Sequence, residues 1–336
     1  MKPLSIAFIW HMHQPYYRDL ATGECTMPWV RLHAAKDYLD MVRRLEAFPS
    51  IHQTFNLVPA LVDQLEEWLP PAGRTDTFWD VSAQPAAQLT GVQQHFLLEW
   101  FFLAHPGRMI QPHPRYLELL AKRDARRRFS SQDYLDLQVW FNLVWIDPWL
   151  RRQDARLAAL EKKGGSFTEA EKREVLEFQR RLIAETLPAY RTAAERGQIE
   201  LITSPYYHPI MPLLCDLRSA QAALPHVSLP AQAFQHPEDA RWQLREALAR
   251  HQQAFGRPAR GLWPSEGSVS DALANLAIEA GLRWFAADEQ ILWRTLGQPR
   301  QPALLYRPHR LRRQGGEAAM VFRDRELSDL IGFAYS

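Results

Sequence analysis

Apolar positions along this chain switch repeatedly between two spacings, and the switching predicts alternating strands and helices. Leu4–Trp10 is a continuous apolar run and predicts a buried strand. Leu32, Ala35, Leu39, Val42 and Leu45 then recur at helical spacing, bounded by Pro49. Ile51–Leu57 predicts a second strand that ends at Asn56, and Pro59 opens a short helix carrying Leu61, Leu65 and Leu69. Pro70–Gln88 is rich in proline, glycine and aspartate and is expected to be a connection. A helical block follows, to about Arg196. Its boundaries are marked by the capping pairs Ser130/Asp133 and Thr168/Glu171, by Asp147-Pro148 and by Gly164-Gly165. Trp140, Phe141 and Trp145 lie at helical spacing inside it and are expected in its core. The alternation resumes with a strand at Gln198–Thr203 and a helix from Pro237 to Gly256. Further strands are expected at Gly261–Trp263, Leu282–Ala287 and Ala319–Phe322, with a weaker one at Ala303–Tyr306. The block at about 70–196 therefore reads as a helical insertion into an α/β pattern.

Polar chemistry gathers at the carboxyl ends of these strands. His11 and His13 follow the first, two residues apart and so on one face if the strand continues that far. Asn56 ends the second, and Tyr206, Tyr207 and His208 follow the third. Glu266, Asp288 and Asp324 follow later ones. Parallel α/β sheets and barrels place their sites at these ends. Glu266 stands out. Pro264 stops its strand, small residues flank it, and Ser268 or Ser270 can cap the next helix, whose apolar positions are Leu273, Leu276 and Ala277. A solvated loop glutamate is the plainer alternative. Glu200 sits mid-strand and is expected near the pocket floor or in an ion pair inside a barrel.

Composition narrows the chemistry. The 336 residues carry 40 basic and 38 acidic side chains, a net charge of +2, which offers no electrostatic case for nucleic acid. Two distant cysteines, Cys25 and Cys215, argue for a reducing compartment, and cytoplasm is the default. The amino-terminal apolar run is too short for a signal peptide or a membrane span. Some of the 12 tryptophans must be core, and a surplus near loops would suit stacking on sugar faces. Three classes remain. Glycoside hydrolysis or transfer needs two carboxylates, about 5–5.5 Å apart when configuration is retained. Metal-assisted hydrolysis could use His11 and His13 with Asp288 or His208. A carbohydrate-binding module is disfavoured by the several interior carboxylates.

Four segments, in order, resemble glycoside hydrolase family 57. His13-Gln14-Pro15 matches that family's first motif, and Gly197-Gln198-Ile199-Glu200-Leu201-Ile202-Thr203 its second. Gly261-Leu262-Trp263-Pro264-Ser265-Glu266 resembles the third, which carries the nucleophilic glutamate. The segment from Phe322 to Asp329, with Ile331-Gly332-Phe333, resembles a further stretch of amylopullulanase-like members. The resemblance implies an α/β fold, a (β/α)7 barrel of the family 57 and α-mannosidase-like type, forming a single catalytic domain. It implies a retaining hydrolase or transglycosylase on α-glucans, without metal or cofactor. Glu266 would be the nucleophile, His13, Trp263, His11, Tyr207, Asp288 and Asp324 would bind substrate, and Glu200 would support them. A zinc-dependent or α-mannosidase-like hydrolase using His11 and His13 is the alternative. The Asp-Gly-Glu-like triplet that supplies the family's acid/base is not present, and the chain stops in an apolar segment at Ala334-Tyr335-Ser336. A truncated barrel lacking its acid/base, inactive and self-associating, is the corresponding expectation.

Overall fold

The computed structural model describes residues 5–313 and 315–334, so Leu4, Tyr335 and Ser336 lie outside the described residues. The chain divides into two compact units.

The first unit comprises residues 1–15, 52–62 and 194–336 and carries every strand. The strands are β1 (Ile9–Met12), β2 (Gln53–Leu57), β3 (Ile199–Ile202), β4 (Gly261–Leu262), β5 (Trp284–Asp288), β6 (His309–Arg313) and β7 (Gly316–Arg323). They form a parallel sheet in the order β1-β2-β3 and a second sheet in the order β4-β5-β7-β6. A parallel bridge between Thr203 and Leu262 joins β3 to β4. Among the described residues six strands are thus parallel and β6 runs antiparallel, beside β7. Among the described residues no pairing links β1 to β6.

Strand positions follow the apolar runs with three corrections. The first strand starts at Ile9; Ser5–Phe8 are exposed and outside it, since the ladder to β2 begins at Ile9 opposite Thr54 and the preceding apolar residues are not covered. Ala303–Tyr306 is not a strand. Pro302 starts a helical turn there, Pro302–Leu305, because proline at the first helical position costs no hydrogen bond. The antiparallel β6 was not expected: His309–Arg313 alternates weakly and is mostly basic, as suits an edge.

The core of this unit packs Leu262 and Phe285 against Leu244 and Ala240 of the helix Pro237–Phe255 and against Leu273, Ala277 and Ile278 of the helix Asp271–Glu279. Ser270 caps the latter, its Oγ accepting from Leu273 N at 3.2 Å. One position dictates the packing. A Cβ on Gly261 would stand 2.3 Å from Trp284 Cε2 and 2.7 Å from Ile202 Cγ2. The missing side chain leaves the indole of Trp284 lying across β4, where its Nε1 donates to Glu200 Oε1 at 2.9 Å.

The second unit, residues 16–51 and 63–193, is helical. Its centre is the helix Ser131–Val144, buried from Asp133 onward, as a helix surrounded by others must be. Trp140, Phe141 and Trp145 are in its core as their spacing predicted. Both capping pairs form: Ser130 Oγ accepts from Asp133 N, and Thr168 Oγ1 from Glu171 N. The expected connection Pro70–Gln88 contains a helix, Thr77–Ala83, capped by Asp76. Fully buried Arg31 donates to Asp76, Asn142 and Gln179 at 2.9, 2.8 and 2.6 Å. No helix among the described residues is long and apolar enough to cross a membrane.

Candidate active site

The site lies in the first unit, where β1, β2, β3 and β4 end. Pro264, with φ −59° and ψ 142°, closes the β4 ladder after Trp263, whose N–H donates to Thr203 O at 2.9 Å. The chain then turns tightly through Ser265–Gly267, with Glu266 in the left-handed region at φ 54°, ψ 23°. His208, past β3, has φ 59°. Four non-glycine residues among those described have positive φ, and two of them face each other here. Such a backbone costs about 1–3 kcal/mol and persists only where packing holds it, most often at functional sites. Gly267 follows, and its own φ of +66° favours glycine.

Glu266 projects into solvent, its side chain 72% exposed, and Oε1 stands 3.7 Å from Nε2 of His208, which is 4% exposed. Three imidazoles cluster beside it. The ring centroids of His13 and His208 are 4.1 Å apart, those of His11 and His208 5.0 Å, and those of His11 and His13 5.7 Å. Trp263 lies 5.7 Å from His11, tilted by 39°. One nitrogen of each histidine falls within 4.8 Å of the others.

The histidines are neutral at pH 7. Burial pushes His208 down to about 4, helped by His13. Burial, then His208 and His13, push His11 down to about 3, although the residue keeps an exposed edge. His13 is lowered by burial and held up in part by Glu266. The contact of His208 with Glu266 is therefore between a carboxylate and an uncharged ring, not an ion pair. Uncharged rings can offer hydrogen bonds to a hydroxylated ligand.

The arrangement brings together His11, His13, Trp263 and Glu266 as expected. His208, which the sequence offered only as a strand-end residue and possible metal ligand, joins them and carries no motif of its own. Asn56 and Ser204 enter as buried supports: Asn56 Nδ2 lies 2.6 Å from His11 Nδ1 and 2.8 Å from Ser204 Oγ, and Ser204 Oγ donates to Trp263 O at 2.7 Å. Tyr207 is 51% exposed and stacks on Trp242 at 6.3 Å.

The other expected residues have structural work. Asp288 caps the helix Glu289–Leu296 through Gln290 N and accepts from Arg323 Nε at 2.9 Å. Asp324 caps Arg325–Asp329 through Leu327 N and accepts from Arg300 Nη2 at 2.8 Å and Tyr306 Oη at 2.5 Å. Glu200 is exposed and makes no buried ion pair with a described residue; a strand alternates faces, and its carboxylate meets the Trp284 indole.

The sequence matches the model of glycosyl hydrolase family 57 over residues 7–336, which takes in the histidines, Trp263 and Glu266. The chain belongs to family 57. No curated protein gives a significant sequence match. Two solved structures share the fold: an α-amylase from Thermotoga maritima (14% identity, TM-score 0.53, 98% of this chain and 47% of that one) and a family 57 branching enzyme from Thermococcus kodakaraensis (15%, TM-score 0.51, 98% and 49%). The family 57 chain described here spans about half the length of either. The zinc alternative finds no support in the family match.

Proposed function

We propose that this family 57 chain is the catalytic part of a retaining hydrolase or transglycosylase acting on α-glucans, with Glu266 as nucleophile. The observation that carries the reading is the strained turn after β4, which holds Glu266 exposed beside three uncharged imidazoles and an indole. In the first step a Glu266 oxygen attacks the anomeric carbon, the glycosidic C–O bond breaks, and a glycosyl ester forms. The leaving oxygen takes a proton from a second carboxylic acid, and water or an acceptor hydroxyl later releases the sugar. His11, His13 and His208 hold the hydroxyls of the sugar being cleaved, and Trp263 covers its apolar face. Tyr207 extends the contact to a neighbouring sugar. Asp288 and Asp324, each committed to a helix cap and an arginine, shape the rim without taking the acid/base role. Glu200 anchors Trp284 under β4.

The same reading treats the six parallel strands as wall of an incomplete (β/α)7-type barrel in a single catalytic domain, with a helical insertion at about 70–196. It places the protein in the cytoplasm, in keeping with Cys25 and Cys215, both free thiols. A test is covalent trapping. A 5-fluoro-α-glucosyl fluoride should add one glycosyl mass to the peptide carrying Glu266. Labelling confined to another carboxylate would sink the assignment.

A further inference from the structure

Asn56 is fully buried at the end of β2, between His11 on β1 and Ser204 just past β3. The hydrogen bonds around it can be oriented from one fixed point. The carbonyl of Trp263 can only accept. Ser204 Oγ, 2.7 Å away, must spend its single O–H there. The Asn56 atom 2.8 Å from Ser204 Oγ must then donate, so it is the amide nitrogen. That nitrogen lies 2.6 Å from His11 Nδ1, which must present its lone pair. A neutral imidazole with a bare Nδ1 carries its hydrogen on Nε2. Turning the amide over would set Oδ1 against the lone pairs of Ser204. It would also move the NH2 to the position where Oδ1 now has no partner among the described residues, so nothing would be gained.

We infer that Asn56 is a positioning residue that locks His11 in its Nε2–H tautomer, making the histidine cluster a hydrogen-bond donor to sugar hydroxyls and withholding the third lone pair a divalent metal ion would need. Both nitrogens of His11 are closed to a metal: Nδ1 is covered by the amide N–H and Nε2 bears the hydrogen. His208, buried and with neither nitrogen hydrogen-bonded to a described residue, stands beside it. The other rings thus leave the site open to a ligand, and the tautomer of His11 selects which kind. The sugar half of this inference rests on the glucan reading; the tautomer half does not.

The test is nitrogen-15 NMR of the histidine-labelled chain at pH 7, with the His11 signal assigned by its loss in His11→Gln. The expected result is an unprotonated Nδ1 and a protonated Nε2; a protonated Nδ1, or an averaged mixture, overturns the lock. Asn56→Asp replaces the donor by an acceptor, moving the hydrogen to Nδ1 and freeing Nε2. Zinc chloride titrated into this variant should bind about 10–100-fold more tightly than to the parent, the range typical for such outer partners. Equal zinc affinity with a retained Nε2–H counts against the proposal. If Asn56→Asp does not fold, Ser204→Ala removes the oxygen that orients the amide. It should give an averaged His11 signal, and an unchanged pure Nε2–H signal would show that the relay is not the cause. A parent chain with the Nε2–H tautomer that binds no maltooligosaccharide would bear out the lock and defeat the glucan reading.

Discussion

Gly261→Ala is the change whose cost can be worked most directly from the structure. The new Cβ would stand 2.3 and 2.5 Å from Trp284 Cε2 and Cζ2, and 2.7 Å from Ile202 Cγ2. Normal carbon contacts begin about a full ångström farther out. The indole is trapped between β4 and Glu200, so it must slide or swing out. Overpacking of this kind costs about 1–3 kcal/mol. Displacing the indole also breaks its bond to Glu200, worth about 0.5–1 kcal/mol at an exposed position. Alanine would otherwise be favoured over glycine in a strand by about 0.5–1 kcal/mol. The net expectation is a loss of about 1–3 kcal/mol, read as a lower urea midpoint by far-ultraviolet circular dichroism. A double-mutant cycle isolates the cause. Trp284→Ala is costly alone, but Gly261→Ala added to it should cost at least about 1 kcal/mol less than in the parent. A Gly261→Ala variant within about 0.5 kcal/mol of the parent, or strict additivity with Trp284→Ala, would refute the packing argument.

Three further outcomes are expected. In an active version of the enzyme, Glu266→Gln should leave maltooligosaccharide binding by calorimetry intact while turnover falls far more than tenfold, about 1.4 kcal/mol of barrier; a smaller loss is incompatible with a missing nucleophile. His208 is neutral in the fold down to about 4 but titrates near 6.5 when unfolded, so the unfolded chain binds more protons between those values. Stability should therefore fall as pH drops from about 6.5 toward 4 and level off below, and His208→Asn should flatten that slope in denaturation midpoints. Arg31→Leu strips the partner from buried Asp76 and should destabilise the helical unit by about 3–5 kcal/mol in chemical denaturation, whereas removing both charges together should cost less.

What the sequence determined by itself was everything that depends on neighbours along the chain. The capping pairs at Ser130 and Thr168, the helix start at Pro237 and the proline that ends β4 act within a few residues, and each is where its pattern placed it. The same locality made Glu266 legible, since proline, a small residue and glycine around a carboxylate define the turn. Helix caps are local in the same way. Asp288 and Asp324 follow strands as site residues do, and each also precedes a helix and caps it. The segment at Ala303 failed for a related reason, because a four-residue apolar run carries no period, and Pro302 decided in favour of a helical turn.

Only the tertiary structure decided which distant residues meet. His208 joins His11 and His13 because β3 pairs with β2 and β2 with β1, a register that no local signal encodes. The direction of the Asn56 hydrogen bonds is settled by a carbonyl more than 200 positions away, at Trp263. Glycine at 261 is explained by an indole arriving from β5. The neutrality of the three imidazoles comes from mutual crowding and lost water, which is a property of the packed cluster and of none of its members alone.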